Sequence, residues 1–144
     1  MNNQRGKFIS FEGGDGVGKT TQINLACQYV EKLGHTPVVT REPGGTMLSE
    51  QIRGLVLESS AGITPVTEVL MMFAARAQHT SEVIEPNLAA GKWVLCDRFT
   101  DASYAYQGGG RGLLDELIDV LAEIATNGLE PDLTLLLDLD VKEG

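Results

Sequence analysis

Apolar residues in this chain fall into short blocks that alternate between two periods. Residues 8–11 (Phe-Ile-Ser-Phe), 37–40, 93–96 and 133–137 are short apolar or β-branched runs and read as strands. Between them, Ile23, Ala26, Cys27, Val30 and Leu33 recur at spacings of three and four, which predicts a helix over 20–33 closed by Gly34. A second helix is expected over 48–57 with Ile52, Leu55 and Val56 turned inward. A long one is expected over 66–90, carrying Val69, Leu70, Phe73, Ala74, Ala77, Val83, Ile84 and Leu88, with Pro65 in its first turn and Pro86 as a kink or break. A helix over 113–125 precedes the last strand. That strand is almost wholly apolar up to Asp138, as expected of one covered on both faces. Strands alternating with helices imply an α/β fold around a parallel sheet.

The first strand runs into Gly13-Gly14-Asp15-Gly16-Val17-Gly18-Lys19-Thr20-Thr21, which fits G-x-x-x-x-G-K-[ST] and opens a helix. Glycines let backbone N–H groups turn inward around a phosphate, and the helix start offers further unpaired N–H groups to the same anion. Lys19 is placed to reach the outer phosphates and the Thr20 hydroxyl to ligate Mg2+. ATP is the preferred nucleotide, because the usual guanine-reading motif is not visible, and GTP is the alternative. Asp15, set beside a triphosphate, either meets an acceptor sugar hydroxyl or Mg2+, or is a solvated loop carboxylate.

Asp97 and Arg98 directly follow the third strand and belong at the same rim, where open α/β sheets bind ligands. The carboxylate suits Mg2+, directly or through water, and the planar guanidinium suits a phosphate. Arg41, Arg53, Arg76 and Arg98 are expected near that rim, which points to a second phosphate site and to transfer between nucleotides. On the long helix, Met72 or Phe73 offers an apolar platform for a base, with Arg76 one turn on; all three apolar residues at 71–73 could equally be core. His79 reads as a surface or packing histidine rather than a catalytic base.

Composition narrows the surroundings. The 144 residues carry a net charge of −9, which disfavours nucleic-acid partners but not a small nucleotide. No run of eighteen apolar residues is present, so no membrane helix is expected. Cys27 and Cys96 stand singly, as reduced thiols of a cytoplasmic protein do.

Taken together, FEGGDGVGKTT at 11–21, TREPGG at 40–45, AAR at 74–76, DRF at 97–99 and YQGGGRG at 106–112 resemble the bacterial thymidylate kinases, a family of P-loop nucleoside monophosphate kinases. The resemblance implies a three-layer P-loop fold with five parallel strands in the full protein, four of them within these residues. It implies a homodimer, and transfer of the γ-phosphoryl of ATP to dTMP in dTTP biosynthesis, with Mg2+. By the same resemblance Asp15 holds the deoxyribose 3′-hydroxyl and helps organise Mg2+, while Arg98 grips the acceptor phosphate with Arg41 or Arg53. Glu42 and Pro43 line the acceptor site, Arg76 bonds a thymine carbonyl, Ser103 lies near ring N3, Tyr106 crowds the 2′ position and Gln107 lies close by. The family commonly has phenylalanine where Met72 stands. Residues 1–144 are expected to be one domain that stops short of an arginine-bearing lid and a last strand. A kinase for another nucleoside monophosphate, a P-loop ATPase or GTPase switch, and a nucleotide-binding module without turnover are the rival readings.

Overall fold

The computed structural model describes residues 4–14, 16–58, 62–99 and 115–138. Asp15, Ser103, Tyr106 and Gln107 lie outside them. Four parallel strands, β1 (Phe8–Glu12), β2 (Pro37–Arg41), β3 (Trp93–Asp97) and β4 (Leu133–Leu136), lie in the order β2-β3-β1-β4. Between them run α1 (Lys19–Lys32), α2 (Met47–Glu58), α3 (Pro65–His79), α4 (Glu85–Ala89) and α5 (Asp115–Thr126). Each expected element is present, with bounds shifted by a residue or two.

Side-chain alternation on the two central strands makes the layers. Phe8, Val94 and Cys96 point to one face and pack with Ile84, Leu88 and Phe99. Ile9, Phe11, Trp93 and Leu95 point to the other and meet Ile23 and Val30 of α1. A third cluster, Val69, Phe73 and Ile118, joins α3 to α5. Register across β2, β3 and β1 brings Arg41 beside Asp97, and Asp97 beside Phe11, so the three strands end together at one rim.

The long helix is not uniform. Between α3 and α4 the chain forms a π-helical turn, Thr80–Ile84, in which the Glu85 N–H bonds the Thr80 carbonyl. Pro86 supplies no N–H and its ring crowds the preceding turn, which a widened turn relieves. The Asn87 amide then donates to the Val83 carbonyl at 2.7 Å. Thr64 caps the start of α3 by accepting from the Thr67 N–H, and Pro65 occupies the first turn.

Two core expectations change, and the long helix divides its apolar positions. Leu70 and Ala74 are exposed, whereas Ala75, Arg76 and His79 are buried, because the inward stripe of α3 faces a carboxylate rather than hydrocarbon alone. Leu55 of α2 is exposed; that helix seats on α3 through Ser49, whose hydroxyl donates to the Ala75 carbonyl at 2.7 Å. Strand β4 is not covered on both faces: Leu133 and Leu136 are 50% and 72% exposed, and β1 is its only neighbour among the described strands.

Candidate active site

The loop between β1 and α1 turns on glycines with positive φ, at 146° for Gly13, 80° for Gly16 and 85° for Gly18. Gly18 is the residue before α1, and a left-handed residue there turns the chain into the helix axis. Among the described residues no side chain caps this helix start, where the first N–H groups face an anion's place. Lys19 is buried and its Nζ lies 3.0 Å from Asp97 Oδ1. The residue expected to reach phosphate and the residue expected to reach Mg2+ therefore hold each other across the β1–β3 end. Thr20 and Thr21 are exposed.

Beyond Asp97, Arg98 takes a φ of 70°, uncommon for a residue with a side chain and costing about 1–2 kcal/mol. Its N–H donates to the Phe11 carbonyl at 2.9 Å, its carbonyl accepts from the Cys96 thiol at 3.0 Å, and the next N–H, of Phe99, donates to Glu12 Oε1 at 2.8 Å. Glu12, buried at the end of β1, thus fixes the turn that presents Arg98. Burial pushes the Cys96 thiol well above its usual range.

The turn after β2 is the second half of the site. The Glu42–Pro43 peptide is cis. Arg53 Nη1 donates to the Pro43 carbonyl at 2.9 Å. Glu50, a residue the sequence reading did not single out, accepts from Arg41 Nη2 at 2.6 Å and from the Gly45 N–H at 2.8 Å. That bonding holds the Glu50 carboxyl below the usual carboxylate range, first through Arg41 and next through the Gly45 N–H, and raises Arg41. Arg53 is shifted down, first by desolvation and then by the positive charge of Arg41, with Arg98 adding to it. The carboxylates of Glu50 and Asp97 act against that shift, so the three arginines share the rim with two carboxylates.

Arg76 stands apart from that group. It is buried, its Nε donates to Glu42 Oε1, and its Nη2 donates to the Phe99 carbonyl at 3.1 Å. The guanidinium sits 4.9 Å from the Phe73 ring centroid and 5.4 Å from that of Phe99. Phe73 is core, while Met72 is half-buried, so of the two platform candidates Met72 keeps the accessible surface. The other Glu42 oxygen accepts from His79 Nδ1 at 2.7 Å, and His79 Nε2 lies 2.6 Å from Thr40 Oγ1. His79 is wholly buried, which decides for packing over surface. Its spacing from Arg76, three residues along one helix, was the sequence signal that both reach a common partner.

Arg41, Arg53 and Arg98 thus share the rim with the phosphate loop, whereas Arg76 approaches it from within. Known proteins resemble this chain over most of its length. The family model described as Thymidylate kinase matches residues 11–144. The thymidylate kinase of Geotalea uraniireducens is 54% identical over 140 residues, covering 96% of this chain and 66% of the relative. That of Nostoc punctiforme is 54% identical over 141 residues, covering 96% and 67%. A crystal structure of thymidylate kinase from Ehrlichia chaffeensis superposes with a TM-score of 0.87 at 41% identity, over 96% of this chain and 79% of that one. The chain spans about two thirds of the length of the curated relatives it matches. A phosphate loop joined at one sheet rim to a TREPGG turn and a DRF turn, together with these likenesses, makes the chain a member of the thymidylate kinase family.

Proposed function

We propose that this chain carries the transfer of the γ-phosphoryl of ATP to dTMP, giving ADP and dTDP for dTTP synthesis. The observation that carries the reading is the meeting of two anion seats at one rim: the Gly13–Thr21 loop with Lys19, and the arginines Arg41, Arg53 and Arg98. A hydrolytic switch needs only the first seat; phosphoryl transfer between nucleotides needs both.

In this reading the loop N–H groups of residues 13–21 and Lys19 bind the donor phosphates, and Lys19 releases Asp97 as it does so. Arg98, with Arg41 or Arg53, grips the acceptor phosphate. Arg76 bonds a thymine carbonyl over Met72, with Glu42 and Pro43 behind it. Asp15, Ser103, Tyr106 and Gln107 complete the sugar and base contacts. The acceptor oxygen is already anionic, so catalysis is alignment and charge neutralisation, without a covalent intermediate.

The donors present suit Mg2+: Thr20, Asp97 and Asp15 supply hard oxygens. No group of three His, Cys, Asp or Glu side chains gathers among the described residues, which suits a cation held by one or two carboxylates, water and substrate phosphates. Bound there, Mg2+ would neutralise charge on the transferred group. Exposed apolar residues on α2, α3 and α5, among them Met47, Leu57, Leu70, Val120 and Ile124, support a homodimer that covers this helical layer. No helix among the described residues is long and apolar enough to cross a membrane, and Cys27 and Cys96 are both free, which supports a cytoplasmic setting.

Coupled ADP release with Mg-ATP tests the reading, comparing dTMP, dUMP, dCMP, dGMP and no acceptor. A dTMP-dependent signal is expected; release that is equal without acceptor points to a hydrolytic switch, and a preference for another monophosphate moves the assignment within the kinases. Arg98→Ala should weaken dTMP binding and turnover while sparing ATP binding, and unchanged dTMP turnover would remove Arg98 from the acceptor seat.

A further inference from the structure

We propose that His79 is a positioning residue for the acceptor base, orienting the Arg76 guanidinium through Glu42; the inference rests on the phosphoryl-transfer reading above. His79 has no exposed surface, and both ring nitrogens are committed, Nδ1 to Glu42 Oε2 at 2.7 Å and Nε2 to Thr40 Oγ1 at 2.6 Å. A buried imidazole is costly unless so bonded, and one so bonded has no nitrogen left to exchange a proton with substrate. With Nδ1–H donating to the carboxylate, Nε2 is left to the Thr40 hydroxyl.

The carboxylate is held at both oxygens by one helix. His79 and Arg76, three residues apart on α3, take Oε2 and Oε1 of the same Glu42. Removing the His79 bond leaves Oε2 buried without this donor and free to turn, and the Arg76 Nε–H must follow the other oxygen. Arg76 also meets the Phe99 carbonyl and the faces of Phe73 and Phe99, but Glu42 is the carboxylate that sets the direction of its Nε–H. The ring also backs the turn after Glu42: a Cβ added to Gly45 would stand 2.3 Å from His79 Nε2 and Cδ2 and 2.7 Å from Thr40 Oγ1. His79 therefore reaches Arg76 through Glu42 and also backs the turn that carries Glu42.

The test is equilibrium binding of dTMP, dCMP and Mg-ATP to the whole chain by calorimetry, for the unsubstituted protein, His79→Asn and His79→Gln. An Asn amide reaches where Nδ1 was and keeps the Glu42 bond; a Gln amide reaches where Nε2 was and keeps only the Thr40 side. The expected result is that His79→Asn retains the preference for dTMP over dCMP. His79→Gln should lose dTMP affinity by about 10- to 100-fold and lose the preference, with Mg-ATP affinity unchanged. Equal behaviour of the two variants, or a parallel loss of dTMP and Mg-ATP, would overturn the inference. An unsubstituted chain with no dTMP affinity would overturn the phosphoryl-transfer reading and this inference with it.

Discussion

The phosphate loop and the turn at residues 42–45 lie at the same end of the sheet and are held in opposite ways. The loop is made of backbone: glycines with positive φ, a helix start with no side-chain cap, and one lysine paired to Asp97. A Cβ added at Gly14, Gly16 or Gly18 meets nothing within 4 Å. The turn is made of side chains drawn from three elements, with Thr40 from β2, Glu50 from α2, and Arg76 and His79 from α3 closing on Glu42 and Gly45. One region is open and locally encoded; the other is packed and assembled at a distance.

The largest expected effect separates the two directly. Glu42→Ala takes the buried carboxylate away from both Arg76 and His79 and should cost about 3–5 kcal/mol of stability, measured by urea unfolding. Loss of less than 1 kcal/mol would mean that the buried cluster is no more than a surface pair. Lys19→Met should do the reverse. Asp97 is one-third exposed, so stability should move by about 1 kcal/mol or less, while dTMP-dependent turnover falls about 100- to 1,000-fold.

Paired glycine substitutions sharpen the contrast. Gly18→Ala pays only the left-handed backbone cost, about 1–2 kcal/mol. Gly45→Ala pays that cost at φ 94° and also drives a methyl into the His79 ring, adding about 1–3 kcal/mol. Thermal melts of the two should differ by that increment, and equal melts would show that the turn has room to yield.

The smallest effect concerns Glu50. Its carboxyl is held below the usual range in the folded chain, so its contribution is fully present above the unfolded glutamate pKa and is lost as pH falls through the depressed folded value. Glu50→Gln should therefore destabilise at pH 7 by no more than about 1 kcal/mol, because the Arg41 pair is exposed and screened. The difference between the two proteins should vanish in acid; a difference that grows there would reverse the assignment.

This division also explains what could be read in advance. The order of strands and helices, the phosphate loop, and the DRF and TREPGG turns are runs of neighbouring residues whose spacing carries their geometry. Placing Leu55 inward failed, and on the long helix the apolar Leu70 and Ala74 are exposed while Arg76 and His79 are buried. An apolar stripe is only a prior, and a buried carboxylate on another element can claim the inward face of a helix. Glu50 gave no sign, since a glutamate in the first turn of a helix is ordinary until a turn folds onto it.

The sequence by itself determined the parallel α/β architecture, the anion loop and the arginines that gather beside it, because backbone conformation and helical period are set within a few residues. Only the tertiary structure decided which apolar faces are covered, that Phe73 is core while Met72 keeps accessible surface, and that Glu42 is shared between Arg76 and His79. Those outcomes depend on bonds between residues 34 to 39 positions apart, whose strength comes from burial, and burial exists only once the elements have met.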